Sequence, residues 1–194
     1  ENKDGENASK YQIAADPTFT YSTSEPLFSG DSFTGTLNRA VGENAGSYAI
    51  GLGTLSAGSN YGLTFVSNNF TITAKPITVT ANAGQTKVFG AADPTFAYTS
   101  SDPGATFTGA LDRATGENVG AYAIGQGTLA VVGSNYTMSF VSNNFTITAK
   151  PITVTANAGQ TKVFGAADPT FTYTSSDPGA TFTGALDRAT GENV

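Results

Sequence analysis

The chain has no cysteine, no histidine and no tryptophan among its 194 residues. Without Cys there is no disulfide scaffold and no thiolate metal site. Without His the usual general base and zinc ligand are missing, and every Ser-His-Asp arrangement is excluded. No activated nucleophile stands in for them, so an enzyme is not expected. Charge is scarce too, at 12% of residues, with nine basic against fifteen acidic side chains and a net charge of −6. The basic residues are scattered singly, which leaves no stripe to neutralise phosphates, so neither nucleic acid nor an anionic membrane surface is an expected partner. No apolar run approaches the roughly 20 residues of a membrane helix, and membrane insertion of this segment is not expected.

What the chain does have is thirteen Phe, eight Tyr and twenty-three Gly. Large apolar bodies in a chain this poor in charge imply a folded protein. They recur with a fixed period. PITVTANAGQTKVFGAADPTF occurs at residues 76–96 and again at 151–171, a spacing of 75 residues. Between residues 76–119 and 151–194 only Ala97 against Thr172 differs. A more diverged copy begins near Lys10, with about three extra residues in SEPLFSGDSFTG and one fewer before GSNY, and insertions confined to two places mark loops. The expected units are therefore residues 1–74, lacking a first strand, 75–149, complete, and 150–194, the first part of a third. Out-of-phase ends fit either a segment of a longer repetitive protein or strands supplied by a neighbouring molecule.

Within one unit the apolar residues alternate. Ile77 and Val79, Phe96 and Tyr98, Tyr122 and Ile124, Tyr136 with Met138 and Phe140, and Phe145 with Ile147 each mark one face of a strand. Turn formers separate these runs: Asp93-Pro94, Asp102-Pro103-Gly104, Gly116, Gly133-Ser134-Asn135 and Asn143-Asn144. LDRATGEN, with Arg113 and Glu117 four apart, predicts at most a short helical turn. Six or seven short strands in 75 residues predict an all-β fold of tandem small Ig-like antiparallel β-sandwich repeats, with a β-grasp-like module as the alternative. In GENVGAYAI, Gly120 leads into Tyr122, the pattern of a tyrosine corner that returns a hydroxyl to upstream backbone; Tyr48 holds the same place in the first copy. NFTIT then closes one unit and PITVT opens the next. Pro76 and Pro151 bias Lys75 and Lys150 toward extended backbone, so the joints are expected to be short and stiff.

LDRATGENVGAYAIGQGTL, SNYTMSFVSNNFTITAKPITVTA and KVFGAADP together resemble the MBG ("mostly beta, glycine-rich") repeats of large bacterial surface proteins and haemagglutinin-like adhesins. The resemblance covers the whole chain, except that KDGENASKYQI replaces QTKVFG at the start of the first copy. It implies an extracellular, cell-surface, tandemly repeated Ig-like module without enzymatic activity, and it carries over no catalytic residue.

The acids Asp93, Asp102, Asp112 and Glu117 recur as Asp168, Asp177, Asp187 and Glu192. The Asp-Pro acids are expected to hydrogen-bond their own turns and Glu117 to pair with Arg113. Calcium is the competing reading, with Asp102, Asp112 and Glu117 as oxygen donors, although no D-x-D-x-D-G cluster exists and Lys75 stands at the joint. No other cofactor is implied. Lys87 with Asn143 or Asn144 near Glu117 has the parts of an isopeptide crosslink. Asn69, Asn135 and Asn144 head glycosylation sequons, and Val131 with Val132 are expected to close a strand end, with an exposed contact patch as the alternative. Three functions follow. The first is a rigid spacer or stalk in a surface adhesin or fibre, adding about 30 to 40 Å per repeat. The second is an adhesion module binding glycans or a host or cell-surface protein through Asp102-Pro103-Gly104 or Gly133-Ser134-Asn135. The third is a fibre subunit assembled by strand complementation. In the first and third the partners are neighbouring copies of the same repeat.

Overall fold

The computed structural model describes residues 9–11 and 14–191. Among them every regular element is a strand, and the fold is all-β. The first repeat contributes β1 (Ser9–Tyr11), β2 (Asn38–Arg39), β3 (Gly46–Gly51) and β4 (Asn69–Thr73), in the sheet order β1-β4-β3-β2. The second contributes β5 (Lys75–Ala81), β6 (Gln85–Val88), β7 (Tyr98–Ser100), β8 (Phe107–Thr108), β9 (Asp112–Arg113), β10 (Gly120–Gly125), β11 (Ala130–Val131), β12 (Tyr136–Val141) and β13 (Asn144–Thr148). The third adds β14 (Val154–Ala156) and β15 (Tyr173–Ser175), paired antiparallel.

The second repeat shows the full arrangement. One sheet runs β12-β5-β7, another β6-β13-β10-β9, and β11 with β8 forms a short ribbon. The chain passes from the first sheet to the second twice, at residues 82–84 and at 142–143. Its opening and closing segments cross in the same direction, side by side. As a result β5 pairs parallel with β12, and β6 parallel with β13. This corrects the purely antiparallel expectation, and β1 repeats it by pairing parallel with β4.

The alternation in sequence sets what is buried. On β5, Ile77, Val79 and Ala81 point inward and are at most 3% exposed. Phe145 and Ile147 of β13 and Ile124 of β10 are fully buried, with Phe96, Leu111 and Leu129 completing the cluster. Phe96 meets Phe145 edge to face at a centroid distance of 5.2 Å, a geometry favoured by ring quadrupoles. Pro76 is accommodated inside β5 because the β7 ladder reaches only Val79, so no partner on that side needs its missing N–H.

Two segments depart from their sequence pattern. QTKVFG shows no apolar alternation of a strand in sequence, yet Gln85–Val88 is a strand whose alternation is inverted: Lys87 is buried and Val88 is 41% exposed. LDRATGEN has no helical turn. Asp112 and Arg113 pair with Gly125 and Ile124, and Gly116 adopts a φ of +141° that ends any helical run. In the first repeat, residues 61–66, which match β12, form no ladder among the described residues. In the third, Ile152 and Val154 are about 40% exposed where their counterparts Ile77 and Val79 are buried. Residues 150–194 carry no counterpart of β10, β12 or β13 to cover them.

Candidate functional site

The most constructed polar region lies where β9 leaves the second sheet and the chain turns into β10. Lys87 reaches it from β6 with its side chain only 4% exposed, and its Nζ lies 2.6 Å from Asp93 Oδ1 and 2.5 Å from Glu117 Oε2. Arg113, also buried along its length, donates from Nε to Asp93 Oδ2 at 2.7 Å and from Nη2 to Asp93 Oδ1 at 3.1 Å, and pairs with Glu117. The Arg113 guanidinium lies 5.1 Å from the Tyr122 ring centre and 5.4 Å from that of Phe145, a cation over two aromatic rings. Two cations are thus covered by two carboxylates at the edge of the apolar core. This explains the inverted strand: a buried ammonium is tolerated where opposite charges neutralise it.

The charges set one another's titration. Hydrogen bonds from Arg113 and then Lys87 pull the Asp93 carboxyl down to about 2. The Lys87 ammonium, followed by Arg113, lowers Glu117, while Asp93 and then Glu117 raise Lys87. The other repeats carry the same device. Arg39 lies 2.8 Å from Asp16 and 2.5 Å from Glu43, and Asp168 is held by Lys162 at 2.7 Å and Arg188 at 2.9 Å. Glu192 lies outside the described residues. The β1 register sets Lys10 opposite Ile72, as β6 sets Lys87 opposite Ile147.

This cluster braces a loop. Arg113 Nη1 donates to the carbonyls of Ala114 and Gly116, and the Tyr122 hydroxyl donates to the Asn118 carbonyl at 2.8 Å. Gly116 is required there, since a Cβ at that position would fall on the Tyr122 ring. The first repeat matches: the Tyr48 hydroxyl donates to the Asn44 carbonyl at 2.7 Å, and Gly42 sits against the Tyr48 ring. Gly120 opens β10 opposite Ile147.

The braced loop of the first repeat meets the second. Ala45 N–H donates to Asn135 Oδ1 at 2.8 Å, and Asn135 Nδ2 donates to Asn44 Oδ1 at 2.9 Å. The Asn135 carbonyl accepts from Lys75 N–H at 2.8 Å. Only Ala74 separates β4 from β5, and Lys75 Nζ pairs with Asp102 Oδ2 at 2.7 Å. Lys150 and Asp177 repeat that pair at 2.6 Å beside Pro151, which lies outside any strand.

The remaining candidates are placed differently from their sequence readings. Asp102 does cap its own turn, accepting from Gly104 N–H at 2.8 Å, whereas Asp93 bonds distant Arg113 and Lys87 instead of its own turn. Asp112 is exposed on β9, and Asp187 accepts from Arg188 N–H. Among the described residues no three acids gather around a common point, so Asp102, Asp112 and Glu117 do not form one donor set. The Lys87 amine faces carboxylates, while Asn143 Oδ1 accepts from Asn144 N–H. Asn69 and Asn144 open β4 and β13 and are exposed, and the Asn135 amide is engaged at the joint. Val131 pairs with Phe107, and Val132 continues past the strand end, half exposed.

Copies of one small all-β unit, joined end to start and with polar contacts across the first joint, define a tandem-repeat protein. The family model for the MBG domain (YGX type) matches residues 5–71, 77–146 and 152–194, and the chain belongs to that family. Both gaps between matched segments contain a Lys-Pro joint. No curated protein and no solved structure matches the chain.

Proposed function

We propose that the chain is a structural segment of a long, extracellular, cell-surface repeat protein, and that its repeats act as a rigid, non-catalytic spacer or stalk. One observation carries this reading: a single residue, Ala74, joins two folded units, and Lys75 just beyond it is tied to Asp102 and to the Asn135 carbonyl. A linker with no slack, tied to two partners, transmits orientation from one unit to the next. Near-identity of the second and third copies supports the same reading, because the length of a spacer depends on repeat number and not on a unique site. Small-angle scattering of the full chain tests it. An elongated particle with a well-defined maximum dimension is expected, and a distribution broadened by interdomain bending would overturn the proposal.

A second reading, adhesion through a loop, is favoured by Phe28. The insertion of the first repeat holds this side chain 83% exposed, with its N–H donating to the Tyr61 hydroxyl and that hydroxyl donating to Asp31. Asp102 and Asn135, the loop residues first considered for binding, are engaged at the joint instead. Saturable binding on a glycan or host-protein array, lost in Phe28→Ser, would establish this role.

A further inference from the structure

The joint has two halves, and each is recognisable in the sequence. The Gly-Glu-Asn-x-Gly loop offers two groups to the following repeat: the N–H of Ala45 and the amide oxygen of Asn44. Both are held in position from within the first repeat, because Tyr48 bonds the Asn44 carbonyl while Arg39 bonds the Gly42 carbonyl and Glu43. Asn135 presents the complementary acceptor and donor from the Ser-Asn-Tyr segment that leads into β12. Its own backbone is fixed by Lys75 N–H, the first residue of the second repeat's central strand. One side chain thereby joins the preceding repeat to the joint and to the sheet of its own repeat.

Resting on the spacer reading above, we propose that the Gly-Glu-Asn-x-Gly loop is a socket for the Ser-Asn-Tyr segment of the repeat that follows it in the chain, and that Asn135 sets the angle between the first two repeats. The amide is suited to this because it donates and accepts at once, matching the Ala45 N–H and the side-chain amide oxygen of Asn44. The second repeat carries the same socket, with Asn118 and Val119 in the places of Asn44 and Ala45. Val119 is 57% exposed there, and the groove beside it is lined by Phe89, Ile152 and Ala180. The occupant this groove fits is the Ser-Asn-Tyr segment of a complete repeat of the same kind, since the corresponding loop at the first joint is met by one.

The test uses the full chain. Because it contains no cysteine, Val66→Cys and Thr108→Cys provide unique, exposed spin-label sites in the first and second repeats. Electron-spin distance measurements are expected to give one narrow distribution in the otherwise unaltered chain. Asn135→Ala should lose that single peak, while Asn60→Ala, the same position in the first repeat, should keep it. Circular dichroism of Asn135→Ala establishes that the repeats remain folded. A distribution equally narrow with and without Asn135 overturns the socket and leaves the spacer intact. A distribution already broad in the parent overturns the spacer reading itself.

Discussion

Replacing Phe145 with Ala removes the largest side chain at the centre of the second repeat. Phe145 is fully buried, meets Phe96 edge to face and lies beneath the Arg113 guanidinium. Loss of a buried phenyl ring leaves transfer and cavity terms of about 3–5 kcal/mol. A unit of this size has a total stability of roughly 4–11 kcal/mol, at the usual value per residue. For domains of this length each kcal/mol corresponds to about 4–8 °C in melting temperature. The transition of the second repeat should therefore fall by at least ~12 °C, or that repeat should be unfolded at room temperature, while the first, built around Phe70, keeps its own transition. Thermal and urea unfolding of the full chain, followed by near-UV circular dichroism of the tyrosines, reads this directly. Phe145→Leu retains much of the apolar volume and should fall between the parent and Phe145→Ala. Val119→Ala, at an exposed site, should shift stability by no more than about 0.5 kcal/mol. If Phe145→Ala were as mild as Val119→Ala, the assigned core would be wrong.

Acid should destabilise the repeats through Asp93. Its folded carboxyl is held near about 2, below the ordinary 3.8, so the unfolded chain takes up the proton first; stability present above pH 4 is lost as pH falls toward 2. Asp93→Asn should lose that part of the pH dependence, measured as the unfolding midpoint against pH. Tyr122→Phe removes the hydroxyl bond to Asn118 and should cost about 1 kcal/mol in the same unfolding assay. Gly116→Ala should be worse than Gly84→Ala: both positions have positive φ, but only the first places a methyl on the Tyr122 ring, whereas the second meets open space and costs about 1–2 kcal/mol of backbone strain.

Much of the strand content was legible, because Ile77 with Val79, Tyr122 with Ile124 and Phe145 with Ile147 follow a period of two and are bounded by Gly, Pro, Asn and Asp. The tyrosine loops were legible for a different reason: Tyr48 and Tyr122 recur at the same place in GEN-x-G-x-Tyr, and the structure puts each hydroxyl on the carbonyl of the preceding Asn. Strand β6 was not legible. Its inward residue is Lys87, and only the long-range approach of Asp93, Arg113 and Glu117 makes an inward lysine tolerable. The same long-range pairing misdirects a local reading of Asp93 and of LDRATGEN. Parallel pairing is hidden for a similar reason, since alternation reports which face is buried and not the direction of the neighbouring strand. Asn135 reads as a turn residue because its partners, Asn44 and Ala45, lie in another repeat.

The side-by-side course of the second repeat's opening and closing strands fixes how it would respond to a pull along the chain. Tension along the chain enters the second repeat at Lys75, the start of β5, and leaves at Thr148, the end of β13. Because β5 and β12 are parallel and matched over six positions, from Lys75 with Tyr136 to Thr80 with Val141, pulling slides one strand lengthwise past the other. The hydrogen bonds of that ladder are then strained together and cannot be peeled away one at a time. β6 and β13 add four matched positions in the same orientation. Failure under force is governed by the rate of unfolding and not by equilibrium stability. A unit of modest thermodynamic stability can on this account hold a sustained pull in shear.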